Sequence, residues 1–193
     1  MDQAKILDIP ASYDQLLRKS EEIGFTMPSD TYIGTLLKTL IASKPNGNFL
    51  ELGTGIGLSL SWMIDGMCED SALTTVDNDP NLTVIAESFF GADTRVDIVC
   101  QDGGNWIQNY SGKAFDLVFA DAWPGKYDYL ETILDTIVVS GFYVIDDMKV
   151  QSNWPDGHED HVNRLISELE AREDFVITKM DWSTGVIVAV KTK

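Results

Sequence analysis

Acidic residues recur at five points along the chain, each at or just after the end of a short apolar or β-branched run: Glu51, Asp77, Asp102, Asp121 and the pair Asp146-Asp147. Carboxylates accept hydrogen bonds from hydroxyl and ammonium groups, face organic cations, or bind hard metal ions. A glycine-rich loop follows the first of them, in Phe49-Leu50-Glu51-Leu52-Gly53-Thr54-Gly55-Ile56-Gly57. Glycine lets backbone N–H groups approach an anionic group at the start of a helix. A pyrophosphate would be opposed by the carboxylate just ahead of this loop. The spacing is also G-x-G-x-G, not the dinucleotide pattern G-x-G-x-x-G.

A phosphate-free cation fits these residues better. S-adenosylmethionine carries a sulfonium, an ammonium, two ribose hydroxyls and one carboxylate. Glu51 and Asp121 are expected to address its cationic end, and the loop N–H groups its carboxylate. Asp77, 24 residues beyond Gly53, is placed to accept from ribose hydroxyls. Asp102, with the Gly103-Gly104 backbone, is placed to meet the adenine amino group. The competing explanation is that loop acids simply cap helices.

Positioning five acids on one rim requires a particular architecture. Strands are predicted at 48–52, 72–76, 96–100, 115–120, 141–145, 174–180 and 186–191. Helices are predicted at 13–23, 30–43, 58–67, 80–90, 104–110, 127–139 and 158–172, with Pro80 after Asp79 as a start signal. That alternation implies a seven-stranded, mostly parallel Rossmann-like sheet with helices on both faces. Only a loop, Asp181-Trp182-Ser183-Thr184-Gly185, separates the last two strands, so they form an antiparallel C-terminal hairpin. The acids then share the carboxyl edge, where open α/β sheets bind ligands. We read 1–193 as one domain, with 1–44 a helical cap and 45–193 the cofactor-binding core.

The chain has 193 residues, 44% apolar and 23% charged, with 14 basic against 31 acidic side chains and a formal net charge of −17. Such a surface repels phosphate backbones and anionic lipid, which argues against nucleic-acid and membrane partners and for a small-molecule one. Cys68 and Cys100 lack metal-type spacing and read as reduced core or near-core thiols of a cytosolic protein. The N-terminus lacks a signal-peptide pattern, and no apolar stretch reaches the ~18 residues of a membrane span. Oligomeric state is open: the helical N-terminus can pack on a second copy, as a homodimer, or on its own core.

The ordered segments ELGTGIG, TTVDNDP, QDGG, FDLVFADAWPGKYDYL and GFYVIDDM resemble the motifs of class I S-adenosylmethionine-dependent methyltransferases, in the O-methyltransferase branch of the catechol and caffeoyl-CoA enzymes. IDDM followed by NWPDGH is closer still to a group of bacterial O-methyltransferases. The resemblance runs from about Met27 to the C-terminus. It implies cofactor contacts at Met27, Glu51, Gly53, Gly55, Ser59, Asp77, Asn78, Asp102, Gly103, Asp121 and Trp123. It also implies a divalent site at Asp121, Asp146 and Asp147, whose hard oxygens suit Mg²⁺ or Ca²⁺.

Two departures stand out. Asp147 replaces the family's Asn. The family's catalytic lysine follows the strand-four Asp more closely, whereas Lys126 comes five residues after Asp121, with Pro124-Gly125 between. Lys126 is either a base or charge stabiliser, or a surface lysine. His158, in the segment after the fifth strand, has the pKa range for proton removal; its alternative is a helix-start residue in solvent. Trp154 and Tyr127 are candidates for an aromatic acceptor pocket. Two rival functions stay open: an NAD-linked oxidoreductase on the same sheet, and a non-catalytic protein that retains the pocket.

Overall fold

A computed structural model of the chain describes residues 2–6, 8–151 and 154–193. Ser152 and Asn153, within the segment expected to cover the acceptor, lie outside the described residues. The elements run α1 (Tyr13–Ile23), α2 (Thr31–Ala42), β1 (Asn48–Leu52), α3 (Leu58–Gly66), β2 (Ala72–Asp77), α4 (Pro80–Phe90), β3 (Val96–Cys100), α5 (Gly103–Asn109), β4 (Phe115–Ala120), α6 (Leu130–Asp135), β5 (Ile137–Ile145), α7 (His158–Glu170), β6 (Phe175–Met180) and β7 (Val186–Lys191).

The strands form one seven-stranded sheet in the order β3-β2-β1-β4-β5-β7-β6. Strands β1 to β5 pair in parallel, while β7 runs antiparallel to both β5 and β6. Side chains alternate across a strand, and the two faces are covered by different helices. Phe49, Leu117, Phe119, Val144 and Val186 join residues of α1 to α4 in one core. Their neighbours Leu50, Val118, Ala120, Tyr143, Ile145 and Ile187 join α5, α6 and α7 in the other. The central strands β1 and β4 are therefore mostly apolar on both faces, with Glu51 of β1 a buried exception.

The N-terminal helices use their apolar faces within the chain. Tyr13, Leu16, Ile33, Leu37 and Ile41 are buried in the first core, and the rings of Tyr13 and Trp62 meet edge to face at 5.4 Å. Asp30 starts α2 by accepting from the N–H groups of Tyr32 and Ile33. Among the described residues, no helix is long and apolar enough to cross a membrane.

Two expectations need correction. The cysteines are not core thiols: both are exposed, Cys68 in the turn after α3 and Cys100 at the end of β3, an edge strand with no fully buried position. The helix expected over 127–139 shrinks to α6, and β5 begins at Ile137 rather than at 141. The β-branched run Ile137-Val138-Val139 carries the strand, and a register shift against β4 follows it, with Ser140 in the left-handed region at φ 67°. A bulge of this kind lets a strand resume its pairing after an irregular stretch.

Candidate active site

Chain order reverses between β1 and β4, and the crevice expected at such a switch point is present as a cavity of about 740 Å³. Leu52, Val76, Asp121 and Asp146, at or just beyond the ends of β1, β2, β4 and β5, form its floor. Gly53 turns the chain off β1 at φ 104°, donating its N–H to the Val76 carbonyl at 2.9 Å. A Cβ on it would stand 2.8 Å from the Asp121 carbonyl oxygen, so only glycine fits this crossing. Asp77 then clamps the loop: one carboxylate oxygen accepts from the Gly55 N–H at 2.8 Å, the other from the Asp79 N–H at 2.9 Å.

The cavity is lined by Met27, Gly53, Gly55, Ser59, Asp77, Asn78, Asp102, Gly103, Asp121, Trp123, Lys126, Asp146, Asp147 and His158, so these expected positions converge on one space. Asp102 also caps α5 through the Asn105 N–H, which makes the capping explanation and the pocket position compatible.

Glu51 is the exception. It is 0% exposed and lies beneath the glycine loop without lining the cavity. The Ser59 and Thr75 hydroxyls each donate to one of its oxygens at 2.6 Å, and Thr54 shares a 2.6 Å hydrogen bond with Thr75. Burial raises the Glu51 pKa to about 7, the two hydroxyls opposing the rise and the Asp77 charge adding to it. The expected direct contact of Glu51 with a ligand is thus not open to it; only its partner Ser59 reaches the cavity. Strand alternation is the cause: Glu51 points to the sheet face opposite Leu52, where Ser59 of α3 and Thr75 of β2 enclose it.

At the far side of the floor, Asp121 is half-buried and burial raises its pKa well above the ordinary range, with the Asp146 charge next in importance. Lys126 is no surface residue: it is 4% exposed, and its Nζ donates to the Asp146 carbonyl oxygen at 2.6 Å. Burial lowers its pKa, while Asp121, Asp147 and Asp146 oppose the fall. The Asp146 carboxylate accepts from the Thr184 hydroxyl and, at 2.7 Å, from the Asp147 N–H; burial raises its pKa to about 6. Lys149 pairs with Asp181 at 2.7 Å and leaves the cluster alone.

The expected metal site does not fit this arrangement. A Mg²⁺ or Ca²⁺ ion needs about six or more oxygens free to turn toward it. Among the described residues, no group of three or more His, Cys, Asp or Glu side chains is arranged to hold an ion. One Asp146 oxygen already holds two donors, and a cationic side chain occupies the cluster.

An aromatic wall closes the opposite side. Trp123 meets Tyr127 and His158 edge-on at 5.0 and 5.5 Å, and Trp154 lies 4.3 Å from the His158 ring. The Tyr127 hydroxyl and His158 Nε2 share a 3.0 Å hydrogen bond, and His158 Nδ1 is buried with no partner among the described residues. Burial lowers the His158 pKa, helped by Lys126 and His161. His158 does start α7, but half-buried and facing the cavity rather than solvent. His161 touches Trp123 from outside the cavity.

Phe25 and Thr184 were not foreseen as cavity residues. Phe25 follows α1 and Thr184 sits in the β6–β7 turn; neither carries a motif, and both arrive only through tertiary packing.

A mostly parallel sheet with a crevice at the β1/β4 switch, a glycine loop and an acidic rim defines an open α/β fold with its candidate site at the carboxyl edge. A family profile described as a methyltransferase domain matches residues 50–148, slightly more than half the chain, and the chain belongs to that family. A Mycobacterium leprae protein provisionally named an O-methyltransferase is 32% identical over 110 residues, 55% of this chain and 49% of its own length. The match thus spans about half the length of that curated relative. The O-methyltransferase TomG of Streptomyces achromogenes, solved with S-adenosylmethionine, shares the fold at a TM-score of 0.85 and 20% identity, covering 98% of this chain and 93% of that one. A Bacillus cereus O-methyltransferase, solved with S-adenosylhomocysteine, does so at 0.83 and 19%, covering 98% and 94%.

Proposed function

We propose that this chain is an S-adenosylmethionine-dependent O-methyltransferase acting on a hydroxyl of a small molecule, with 1–193 working as a single methyltransferase domain. The observation that carries this reading is the cavity at the β1/β4 switch, where loop N–H groups and the Asp77 and Asp121 carboxylates face one space. The carboxylates suit a phosphate-free nucleoside with a cationic end; S-adenosylmethionine is bound in the TomG structure and its demethylated product in the Bacillus cereus one. The net charge of −17 disfavours a nucleic-acid acceptor. Two free, exposed thiols suit a reducing cytoplasm.

In this reading Asp77 keeps its hold on Gly55 and accepts ribose hydroxyls on its remaining lone pairs. Asn78, Asp102 and Gly103 border the adenine. Met27, Gly53 and Ser59 border the methionine end, and Asp121 lies near the sulfonium. The acceptor enters against Trp123, Tyr127 and Trp154. Its oxygen attacks the methyl carbon, the carbon–sulfur bond breaks, and the sulfonium becomes a thioether. The hydroxyl proton passes to His158, directly or through the Tyr127 hydroxyl. Burial keeps that imidazole neutral and ready to accept near pH 7. Holding both reactants in line is worth ~7–11 kcal/mol in well-oriented systems.

Titration calorimetry with S-adenosylhomocysteine tests the assignment. Binding to the wild-type chain is expected, weakened on the order of 10- to 100-fold in Asp77→Ala by loss of charge-assisted hydrogen bonds. A wild-type chain that binds nothing at millimolar ligand overturns the proposal.

A further inference from the structure

We propose that the Lys126 ammonium is the resident cation of the Asp121, Asp146 and Asp147 cluster, so that this protein needs no divalent metal there. The inference rests on the methyltransferase reading of the pocket, but the charge arrangement itself does not. The turn ahead of the lysine is built to send it inward. Gly125 has φ 83°, and a Cβ on it would stand 2.3 Å from Leu52 Cδ1. Its N–H donates to the Asp128 carbonyl at 2.7 Å, and its own carbonyl accepts from the buried Tyr143 hydroxyl. The Lys126 N–H closes the turn on the Trp123 carbonyl at 3.2 Å. Following this pinned glycine, the lysine side chain lies buried. Its Nζ ends at the Asp146 carbonyl oxygen, and Pro124-Gly125, the residues that lengthen the spacing from Asp121, are those that make this turn.

The carboxylates complete the argument. Asp146 Oδ1 is saturated by Thr184 and by the Asp147 N–H, so this acid has only Oδ2 left for an ion and cannot chelate one through both oxygens without breaking those bonds. A dication entering beside the ammonium would meet like-charge repulsion in a poorly solvated site, where such repulsion is weakly screened. The same ammonium, lining the cavity beside Asp121, provides the positive charge that an acceptor oxygenate needs at this edge.

Mn²⁺ titration of the whole chain, followed by electron paramagnetic resonance with and without S-adenosylhomocysteine, tests the inference without requiring the acceptor. The wild type should show no ion at this cluster tighter than ~1 mM, the weak end for carboxylate sites. Lys126→Ala and the length-preserving Lys126→Met should each gain Mn²⁺ affinity on the order of tenfold or more, and adding Asp146→Asn should remove the gain. Tight wild-type binding that Asp146→Asn abolishes would overturn the proposal, as would folded lysine variants with no gain. Tight binding that survives Asp146→Asn lies elsewhere on the acidic surface and agrees with a metal-free cluster. If both lysine variants fail to fold, the wild-type titration still decides. Failure of S-adenosylhomocysteine to bind counts against the proposed function and leaves the Mn²⁺ readout standing.

Discussion

Glu51 shows how one side chain can carry a pH dependence. Its carboxyl has an ordinary value of 4.5 in the open chain and about 7 in the fold, chiefly because burial disfavours the anion. Between those values the folded protein holds a proton that the unfolded chain has released. Its contribution to stability therefore falls as pH rises through that window and is level above it. The full difference is on the order of 3 kcal/mol. Glu51→Gln removes the titration while still offering Ser59 and Thr75 a partner. Urea unfolding across pH 4.5–8 should show the variant gaining on the wild type as pH rises, with a constant difference above about 7. Parallel curves for the two proteins across the whole range would refute this account.

The segment between β4 and β5 is the element on which the site depends most. Apolar residues recur at helical spacing over 127–139 and predict a helix there. The fold instead spends 123–129 on a turn, keeps α6 short and starts β5 early. What decides this is contact with Leu52 of β1 and Tyr143 of β5, partners that local pattern cannot reveal. Gly125→Ala should accordingly be costly. A non-glycine residue held in the left-handed region costs ~1–3 kcal/mol, and the clash with Leu52 adds to it. A fall of ~2 kcal/mol or more in unfolding free energy is expected from urea midpoints, with weaker S-adenosylhomocysteine binding as the lysine turn shifts. Wild-type stability in this variant would show that the turn is not the constraint described above.

Across the whole molecule, 31 acidic against 14 basic side chains leave a net charge of −17, and self-repulsion of that size disfavours the compact state. Raising NaCl from ~0.01 to ~0.15 M shortens the Debye length from ~30 to ~8 Å and should raise the melting temperature in a calorimetric scan. A temperature that falls with salt would mean that local ion pairs such as Arg172 with Asp174 and Glu131 outweigh the global field. Sequence by itself determined the alternation of strands and helices, the parallel sheet with its terminal hairpin, and which acids sit at strand ends. Those are properties of local pattern, where side-chain period and turn chemistry are written in consecutive residues. Only the tertiary structure decided that Glu51 is sealed under the loop, that Lys126 is drawn into the acid cluster, and that Thr184 and Phe25 reach the cavity. Each depends on which residues from distant strands share a face and exclude water, and a carboxylate or an ammonium takes its character from that burial rather than from its neighbours in the chain.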